Sequence, residues 1–325
     1  MVWDQFPRPL TWTLVSQEVP SEIKSSEFIY GLRAWLTARG IRTSHVNGNP
    51  ESWDRRYFDR LPPTTPHRIV SICPSNTEIV ASFGAAERLI ALDASSDFPP
   101  SIQGLPRLGM DLDVDVEKIL SLDPDLVVAS LSVPGMEKNV VKLHKSGVPL
   151  VVLAPLSIDE VLQDIMYLGQ VCDADAQASA TCAQLHLRLE RTHDVLCEEP
   201  VRLYLEWWPK PLFTPGRACW TNDLAARAGA SLVFGDRAGQ SVEVGSNEVI
   251  ARDPELILVS WCGVPFHKLK TGKVLERDGW HGIHAVRNGH VYAVDEDLLG
   301  RPGPRLVAGC EAIHDLCNAV KATRV

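Results

Sequence analysis

Cysteine and histidine side chains recur at helical spacing in two segments of the sequence. They are Cys182, His186, His193 and Cys197 in the first segment and Cys310, His314 and Cys317 in the second. Thiolate and imidazole groups are preferred ligands of zinc and other transition metals, so each pair spaced by four residues could supply two ligands. Neither spacing is that of a zinc finger, and positions 186 and 193 lie about 10 Å apart along a helix axis. Two interpretations stand side by side: a metal site shared by two helices, and ordinary packed or surface side chains.

Tryptophan residues follow two apolar segments that have the length of buried strands. Trp207 and Trp208 come at the end of the segment that starts at Val201, and Trp261 follows residues 256–260. Aromatic faces suit a large apolar macrocycle or a cation. Because consecutive strand residues point in opposite directions, we expect one of Trp207 and Trp208 in the core and the other in a cleft. The alternative is that both are core residues at the edge of a domain.

Three residues near these strand ends could contact a metal centre or a polar group of a ligand. Cys262 and His267 are candidate axial ligands to the metal centre of a bound macrocycle. Arg301 is a candidate partner for a carboxylate, amide or phosphate group. The simpler alternatives are a small buried thiol, a solvent-facing loop histidine and a surface arginine. We predict no resident metal ion or cofactor apart from the ligand.

Composition and motifs exclude several classes of protein. The net charge of −9 is opposite to the basic footprint of a nucleic-acid-binding protein, so we expect no nucleic-acid partner. No apolar segment reaches the roughly 18 residues of a membrane span. The motifs G-x-S-x-G, H-E-x-x-H and G-x-G-x-x-G and the P-loop are absent, so nothing indicates an enzyme. The first residues do not resemble a secretion signal, which predicts a cytoplasmic location, or a periplasmic or extracellular one if the true start differs.

Short apolar segments alternate with helical ones from His67 onwards, which predicts an α/β fold with parallel sheets covered on both faces. Ser75 to Glu78 and Ser157 to Glu160 each have the spacing of a capping box at a helix start. The specific expectation is two Rossmann-like lobes joined by one long backbone helix. The predicted parts are an N-terminal extension packed on the body (1–65), an N-terminal α/β lobe (66–173), the linking helix (174–198) and a C-terminal α/β lobe (199–325).

The motifs and their order resemble the substrate-binding proteins of ABC importers for cobalamin, siderophores and haem, and especially the vitamin B12-binding branch. The resemblance covers about 67–320. The segments that carry it are Arg68-Ile-Val-Ser-Ile-Cys-Pro-Ser-Asn-Thr-Glu78, Ser96-Asp-Phe-Pro-Pro100, Val116-Glu-Lys-Ile119, Asp123-Pro-Asp-Leu-Val127, Phe213-Thr-Pro-Gly216 and the region from Pro304-Arg-Leu to Leu316-Cys-Asn-Ala319.

This resemblance implies a ligand held between the lobes, on loops at the carboxyl ends of the strands. It also implies that Glu117 and Glu248, one in each lobe, dock on arginines of a membrane permease. The alternative is that both are acids in the first turn of a helix, where the helix dipole favours them. Aromatic residues that the family has on its cleft loops are missing here. We therefore predict Trp207, Trp208 and Trp261 as the walls, Ser95, Leu108 and Val242 as further contacts, and Arg301 at the rim.

Three functions follow as hypotheses. The first is non-catalytic binding of a corrinoid, either cobalamin or a precursor, in the uptake system of an ABC importer or in a cytosolic homologue. The second keeps the binding fold but changes the ligand to haem, a siderophore or another metal chelate. The third is a cytosolic chelatase-like enzyme or chaperone of tetrapyrrole metabolism, and fold alone does not decide between them.

Overall fold

The computed structural model describes residues 58–133, 135–192 and 199–324. Within these ranges the chain forms two α/β lobes connected by a long helix, as the sequence predicts. Most of the predicted N-terminal extension and the last residues of the predicted linking helix lie outside the described part. No helix in these ranges is both long enough and apolar enough to cross a membrane.

The N-terminal lobe contains a four-stranded parallel sheet with the strand order β2-β1-β3-β4. Its elements are β1 (Ile69–Ser71), α1 (Pro74–Ser82), β2 (Leu89–Leu92), α2 (Val116–Ser121), β3 (Leu126–Ser130), α3 (Glu137–Ser146), β4 (Leu150–Leu153) and α4 (Ile158–Val171). Alternate residues of each strand enter two different cores. Ile69 and Val128 pack in one core, and Val70 and Val127 pack in the other. This is why the strands read as continuous apolar segments in the sequence.

The end of the N-terminal extension pairs with the edge of this sheet. Arg60 and Leu150 exchange two backbone hydrogen bonds of 2.7 and 2.8 Å in an antiparallel bridge beside β4. The Asp59 carboxylate accepts hydrogen bonds from the Val152 amide and the Tyr167 hydroxyl, and Phe58 is buried. Because an uncovered sheet edge invites pairing with other chains, this contact protects β4.

The C-terminal lobe contains a parallel sheet with the order β11-β10-β5-β8 and a small antiparallel sheet with the order β6-β7-β9. Its strands are β5 (Val201–Glu206), β6 (Trp208–Pro209), β7 (Leu212–Pro215), β8 (Ala230–Leu232), β9 (Ser241–Val244), β10 (Leu256–Val259) and β11 (Val291–Ala293). The linking helix is α5 (Asp175–Thr192). The helices of the C-terminal lobe are α6 (Thr221–Arg227), α7 (Ser246–Arg252), α8 (Gly272–Leu275), α9 (His284–Arg287), α10 (Glu296–Leu299) and α11 (Leu306–Lys321).

The linking helix α5 is held by helices of both lobes. On one side it crosses α4 closely at Gly169, where a Cβ atom would overlap Ala178. On the other side it packs against α11, where the Thr192 hydroxyl lies 3.4 Å from the Cys310 thiol. A helix fixed at both ends limits the freedom of the lobes to move relative to each other.

Only one of the two predicted capping boxes has its serine cap, and there the Glu160 carboxylate accepts from the Leu156 amide. The Ser157 hydroxyl accepts a hydrogen bond from the Glu160 amide and caps α4 as predicted. In contrast, α1 begins at Pro74, and its N-cap is Cys73, whose side chain makes no capping bond. Proline at the first helical position needs no amide partner, so Ser75 is not required as a cap. The Glu78 side chain is therefore free to form the contacts described below.

Candidate functional site

Loops at the carboxyl ends of the two parallel sheets meet each other and define a cleft between the lobes. After β3, the Ser132 carbonyl accepts a 2.6 Å hydrogen bond from the Gln240 side-chain amide, which precedes β9. After β1, Ser75 lies against Gly303. Open α/β sheets bind ligands at this edge, which is where the sequence predicts the site.

Six charged side chains form one cluster where the lobes join, here called the interlobe ion cluster. Its members are Glu78 and Asp97 from the N-terminal lobe and Glu296, Asp297, Arg301 and Arg305 from the C-terminal lobe. Arg305 donates two hydrogen bonds to the Glu78 carboxylate, of 2.7 and 3.0 Å. Arg301 donates to Asp97 at 2.6 Å and to Asp297 at the same distance. Two arginines are thus shared among four carboxylates.

Burial and the neighbouring arginines shift the pKa values of three acids in this cluster in opposite directions. It raises the pKa of Glu78 above its ordinary value, although the hydrogen bonds from Arg305 act in the opposite direction. Burial likewise raises the pKa of Glu296 to about 7, opposed by the charge of Arg301. For Asp97 the effect of burial is outweighed by Arg301, and its pKa is lowered. The cluster therefore contains acids that titrate on both sides of their ordinary range.

Contrary to the prediction, Arg301 does not present a free charge at the rim of the cleft. Its side chain is only 12% exposed and is enclosed by carboxylates of the protein. An anionic ligand would have to displace one of these carboxylates before it could bind Arg301. The sequence does not reveal this, because Asp97 lies 204 residues away along the chain.

The three predicted tryptophan walls differ in what they expose. Trp208 is 42% exposed, and its indole N–H donates to the Lys210 carbonyl. Trp207 is buried and packs against the Trp220 ring, with 5.9 Å between the ring centroids. Trp261 is buried and donates to the fully buried Glu206. The expected split of the Trp207-Trp208 pair into one buried and one exposed residue agrees with the structure. Trp261, which was predicted as a wall of the cleft, is buried instead.

Leu108 is not available to a ligand, contrary to the prediction. It is 1% exposed and packs in a core of the N-terminal lobe with residues such as Val70 and Val127. The Leu108 amide donates a 2.9 Å hydrogen bond to the Leu92 carbonyl at the end of β2. This bond holds the loop against the sheet, and the Leu108 side chain lies on its inner side. The exposed apolar side chain of this loop is Met110 instead.

The other two predicted contacts, Ser95 and Val242, are both half-buried. The Ser95 amide donates to the Asp93 carboxylate at 2.8 Å, and Asp93 also accepts from the amide and hydroxyl of Ser96. Burial raises the pKa of Asp93 to about 6, against the effect of the Ser96 hydroxyl. Val242 lies in β9, beside Gly216. Ser95 thus belongs to a turn that is held in place by a buried carboxylate.

Sequence reasoning missed a set of exposed apolar side chains on loops that follow the strands. They are Phe98, Met110, Leu112 and Val133 in the N-terminal lobe and Phe266 in the C-terminal lobe. The Phe98 ring lies 4.7 Å from the guanidinium carbon of Arg305. Phe98 stands within the segment Ser96-Asp-Phe-Pro-Pro100 that supports the resemblance, so its place after β2 was a usable signal.

Glu117 and Glu248 both lie in the first turn of a helix, α2 and α7 respectively, as predicted. Glu117 is exposed. Glu248 accepts hydrogen bonds from the Gly245 amide at 3.0 Å and from Arg237 at 3.1 Å. The Gly245 amide, together with Arg237, lowers the pKa of Glu248. Both side chains therefore present carboxylates on the protein surface.

Residues that could hold a metal ion remain dispersed. Within the described ranges no group of three or more His, Cys, Asp or Glu side chains has the arrangement of a metal site. Cys310 and Cys317 are buried, and His314 Nε2 accepts a 3.0 Å hydrogen bond from the Asn318 side-chain amide. His193 and Cys197 lie outside these ranges. Cys262 and His267 are exposed and lie after β10. Their role as axial ligands to a bound metal centre stays a prediction.

The sequence matches the family described as periplasmic binding protein over residues 69–298. It is 30% identical over 257 residues to an ABC transporter substrate-binding lipoprotein of Bacillus subtilis, YvrC, covering 77% of this chain and 79% of that protein. It is 26% identical over 264 residues to the vitamin B12-binding protein of Vibrio cholerae, covering 80% and 91%.

Solved structures share the same architecture. The periplasmic vitamin B12-binding protein BtuF of Vibrio cholerae superposes with a TM-score of 0.70 at 24% identity, covering 80% of this chain and 99% of that one. The periplasmic haem-binding protein RhuT of Roseiflexus superposes with a TM-score of 0.67 at 26% identity, covering 79% and 98%.

These relationships correct the expected location and exclude one hypothesis. The cytoplasmic location is wrong, because the family is periplasmic and the relatives are periplasmic proteins or lipoproteins of importers. The cytosolic chelatase-like enzyme is wrong as well, since the family consists of non-catalytic binding proteins. The chain belongs to the periplasmic binding protein family and is a two-lobed substrate-binding protein of the kind that delivers small ligands to ABC importers.

Proposed function

We propose that the cleft binds an uncharged corrinoid, cobalamin or a precursor. The observation that carries this proposal is that four arginines near the strand ends are already bonded to acceptors of the protein, while several exposed side chains on the same loops are apolar. The corrin ring carries uncharged amide groups, whereas haem carries propionates and many ferric siderophores are anionic. A site whose arginines are already bonded within the protein favours the first of these ligands.

Four arginines support this argument. Arg301 and Arg305 are bound to the carboxylates of the interlobe ion cluster. Arg277 donates two hydrogen bonds to the buried carboxylate of Glu206. Arg107 donates to the carbonyl oxygens of Asp93 and Ser96 at 3.2 and 2.6 Å. Recruiting any of them for an anionic ligand would break an internal hydrogen bond, and for Arg277 and Arg305 it would also take a partner from a buried carboxylate.

Apolar surface on both lobes supplies the driving force for binding. Phe98, Met110 and Val133 are exposed on the N-terminal lobe, and Trp208 and Phe266 on the C-terminal lobe. Removing apolar surface from water is worth roughly 25 cal/mol per Å², so a macrocycle enclosed between these loops would bind without any charged contact. The relatives named as vitamin B12-binding proteins support the same ligand class.

The test is a parallel titration of the purified protein with cyanocobalamin and haemin, followed by desalting and an absorbance spectrum. We expect one corrinoid to be retained per chain and haemin to be lost. Trp208→Ala should weaken corrinoid binding, whereas Leu187→Ala, which changes an equally exposed apolar residue on the linking helix, should not. Retention of haemin alone would refute the corrinoid and favour the haem or siderophore hypothesis.

We also propose Glu117 and Glu248 as the contacts with the permease. Each carboxylate is presented at the start of a helix, one on each lobe. The variants Glu117→Ala and Glu248→Ala should keep the ligand affinity but lose stimulation of the ATPase of a permease reconstituted in vesicles. Glu87→Ala is the control, because this exposed acid precedes β2 and so lies at the opposite edge of the sheet. Full stimulation by both docking variants would exclude this role.

A further inference from the structure

Three buried polar atoms near the ends of the strands have no hydrogen-bond partner among the described residues. They are the side-chain amide nitrogen of Asn76, the indole nitrogen of Trp207 and the hydroxyl oxygen of Ser260. Each residue is at least nine-tenths buried. Trp207 directly follows β5 and Ser260 directly follows β10, whereas Asn76 lies in the first turn of α1, the helix that follows β1.

Comparable side chains show that unpaired polar atoms are not general among the tryptophans of the C-terminal lobe. Trp207 is the exception among the five tryptophans in the described ranges. The other indole N–H groups donate to the Lys210 carbonyl, the Leu299 carbonyl, the Glu206 carboxylate and the Ser246 hydroxyl. A buried polar group without a partner costs about 1–3 kcal/mol, and folded proteins seldom contain one without a reason.

The three atoms belong to the two sides of one site. The Ser260 amide donates to the Glu206 carbonyl and the Cys262 amide to the Trp207 carbonyl, so the ends of β5 and β10 lie side by side. Asn76 follows Ser75, which contacts Gly303 where the lobes meet. One unpaired group therefore comes from the N-terminal lobe and two from the C-terminal lobe.

We infer that Asn76, Trp207 and Ser260 bind hydrogen-bond acceptors on the periphery of the ligand and thereby determine its specificity. This inference rests on the proposed function and deepens it. The Asn76 amide nitrogen and the Trp207 indole nitrogen can only donate, and the Ser260 hydroxyl is able to donate. The complementary ligand groups are amide carbonyl oxygens, which a corrinoid presents around its ring.

Access to these atoms requires the lobes to separate. The three atoms do not contact solvent in the present arrangement, and the Gln240–Ser132 hydrogen bond joins the loops beside them. A ligand that enters the cleft replaces this direct contact between lobes with its own contacts to both. The unpaired donors are then satisfied only in the complex, which makes binding selective for ligands that carry acceptors at these positions.

The experiment compares Trp207→Phe and Ser260→Ala with a matched control, Trp220→Phe. The Trp207 and Trp220 rings pack against each other, but only the Trp220 indole N–H has a partner, the Leu299 carbonyl. Affinity for cyanocobalamin is measured by calorimetry and stability by urea unfolding. We expect Trp207→Phe and Ser260→Ala each to weaken binding about five- to tenfold. Ser260→Ala should keep the stability of the ligand-free protein, and Trp207→Phe, which leaves a cavity but removes no hydrogen bond, should lose less stability than the control. The control should lose stability and keep its affinity.

The outcomes separate this inference from the proposed function. If the wild-type protein binds cyanocobalamin and both variants bind it equally well, the inference is wrong and the corrinoid proposal stands. If the wild type binds haemin instead and both variants weaken that binding, the acceptors are carboxylates, and the donors keep their role while the corrinoid proposal fails. A wild type without affinity for either macrocycle overturns both.

Discussion

Replacing Arg305 with methionine should destabilise the protein by about 3 kcal/mol at pH 8. The Glu78 carboxylate is almost fully buried and loses its two hydrogen bonds from Arg305 in this variant. Removing one partner of a buried ion pair costs about 3–5 kcal/mol. The lower value applies here, because Glu78 keeps Arg301 at 3.6 Å and Asp297 keeps Arg301 at 2.6 Å.

The cost should be smaller at pH 5, and the sign follows from the pKa of Glu78. Burial raises the pKa of this carboxyl above its ordinary value of 4.5, and Arg305 lowers it. Without Arg305 the folded-state pKa rises further. The folded protein then holds the proton more tightly than the unfolded chain, so stability is retained at low pH and lost as the pH rises through the folded-state pKa.

The assay is urea unfolding of the wild type and of Arg305→Met at pH 5 and pH 8. Arg188→Met is the control, because Arg188 forms a similar two-bond pair with Glu311 at the surface. Both side chains of that pair are more than one-third exposed, and such pairs contribute about 0–1 kcal/mol. An equal cost for Arg305→Met at both pH values, or a cost at pH 8 no larger than that of the control, would refute this account of the interlobe ion cluster.

Three further predictions concern single residues. Because burial raises the pKa of Glu296 to about 7, the stability of the wild type should fall as the pH rises from 5 to 8. Glu296→Gln should lose much of this pH dependence, measured as the melting temperature at each pH. Parallel plots of melting temperature against pH for the two proteins would contradict this prediction. Gly309→Ala should cost about 1–3 kcal/mol in thermal unfolding, because its Cβ would overlap the Leu298 carbonyl; an unchanged melting temperature would exclude the overlap. Trp208→Ala should change stability by no more than about 0.5 kcal/mol because the ring is exposed, and a large loss would show that it supports the fold.

The sequence was sufficient for the architecture because the relevant signals are local. Continuous apolar segments of strand length indicated parallel strands buried on both faces, and the observed strands enter two cores, as Ile69 and Val70 do. Ser157 was identified as a helix cap because its partner lies only three residues away. The alternation of strand side chains likewise separated Trp207 from Trp208, although it could not say which of them would be exposed.

The details of the site depended on contacts between residues that are far apart in the chain. Glu78 has the spacing of a capping residue, yet it pairs with Arg305, 227 positions later. Leu108 and Met110 are two apolar residues of one loop, and only the packing against the core decided that Met110 is exposed. The sequence by itself determined the two lobes and their linking helix. Which charges are neutralised and which polar atoms are left unpaired was decided by the tertiary structure, because both depend on how the lobes pack together.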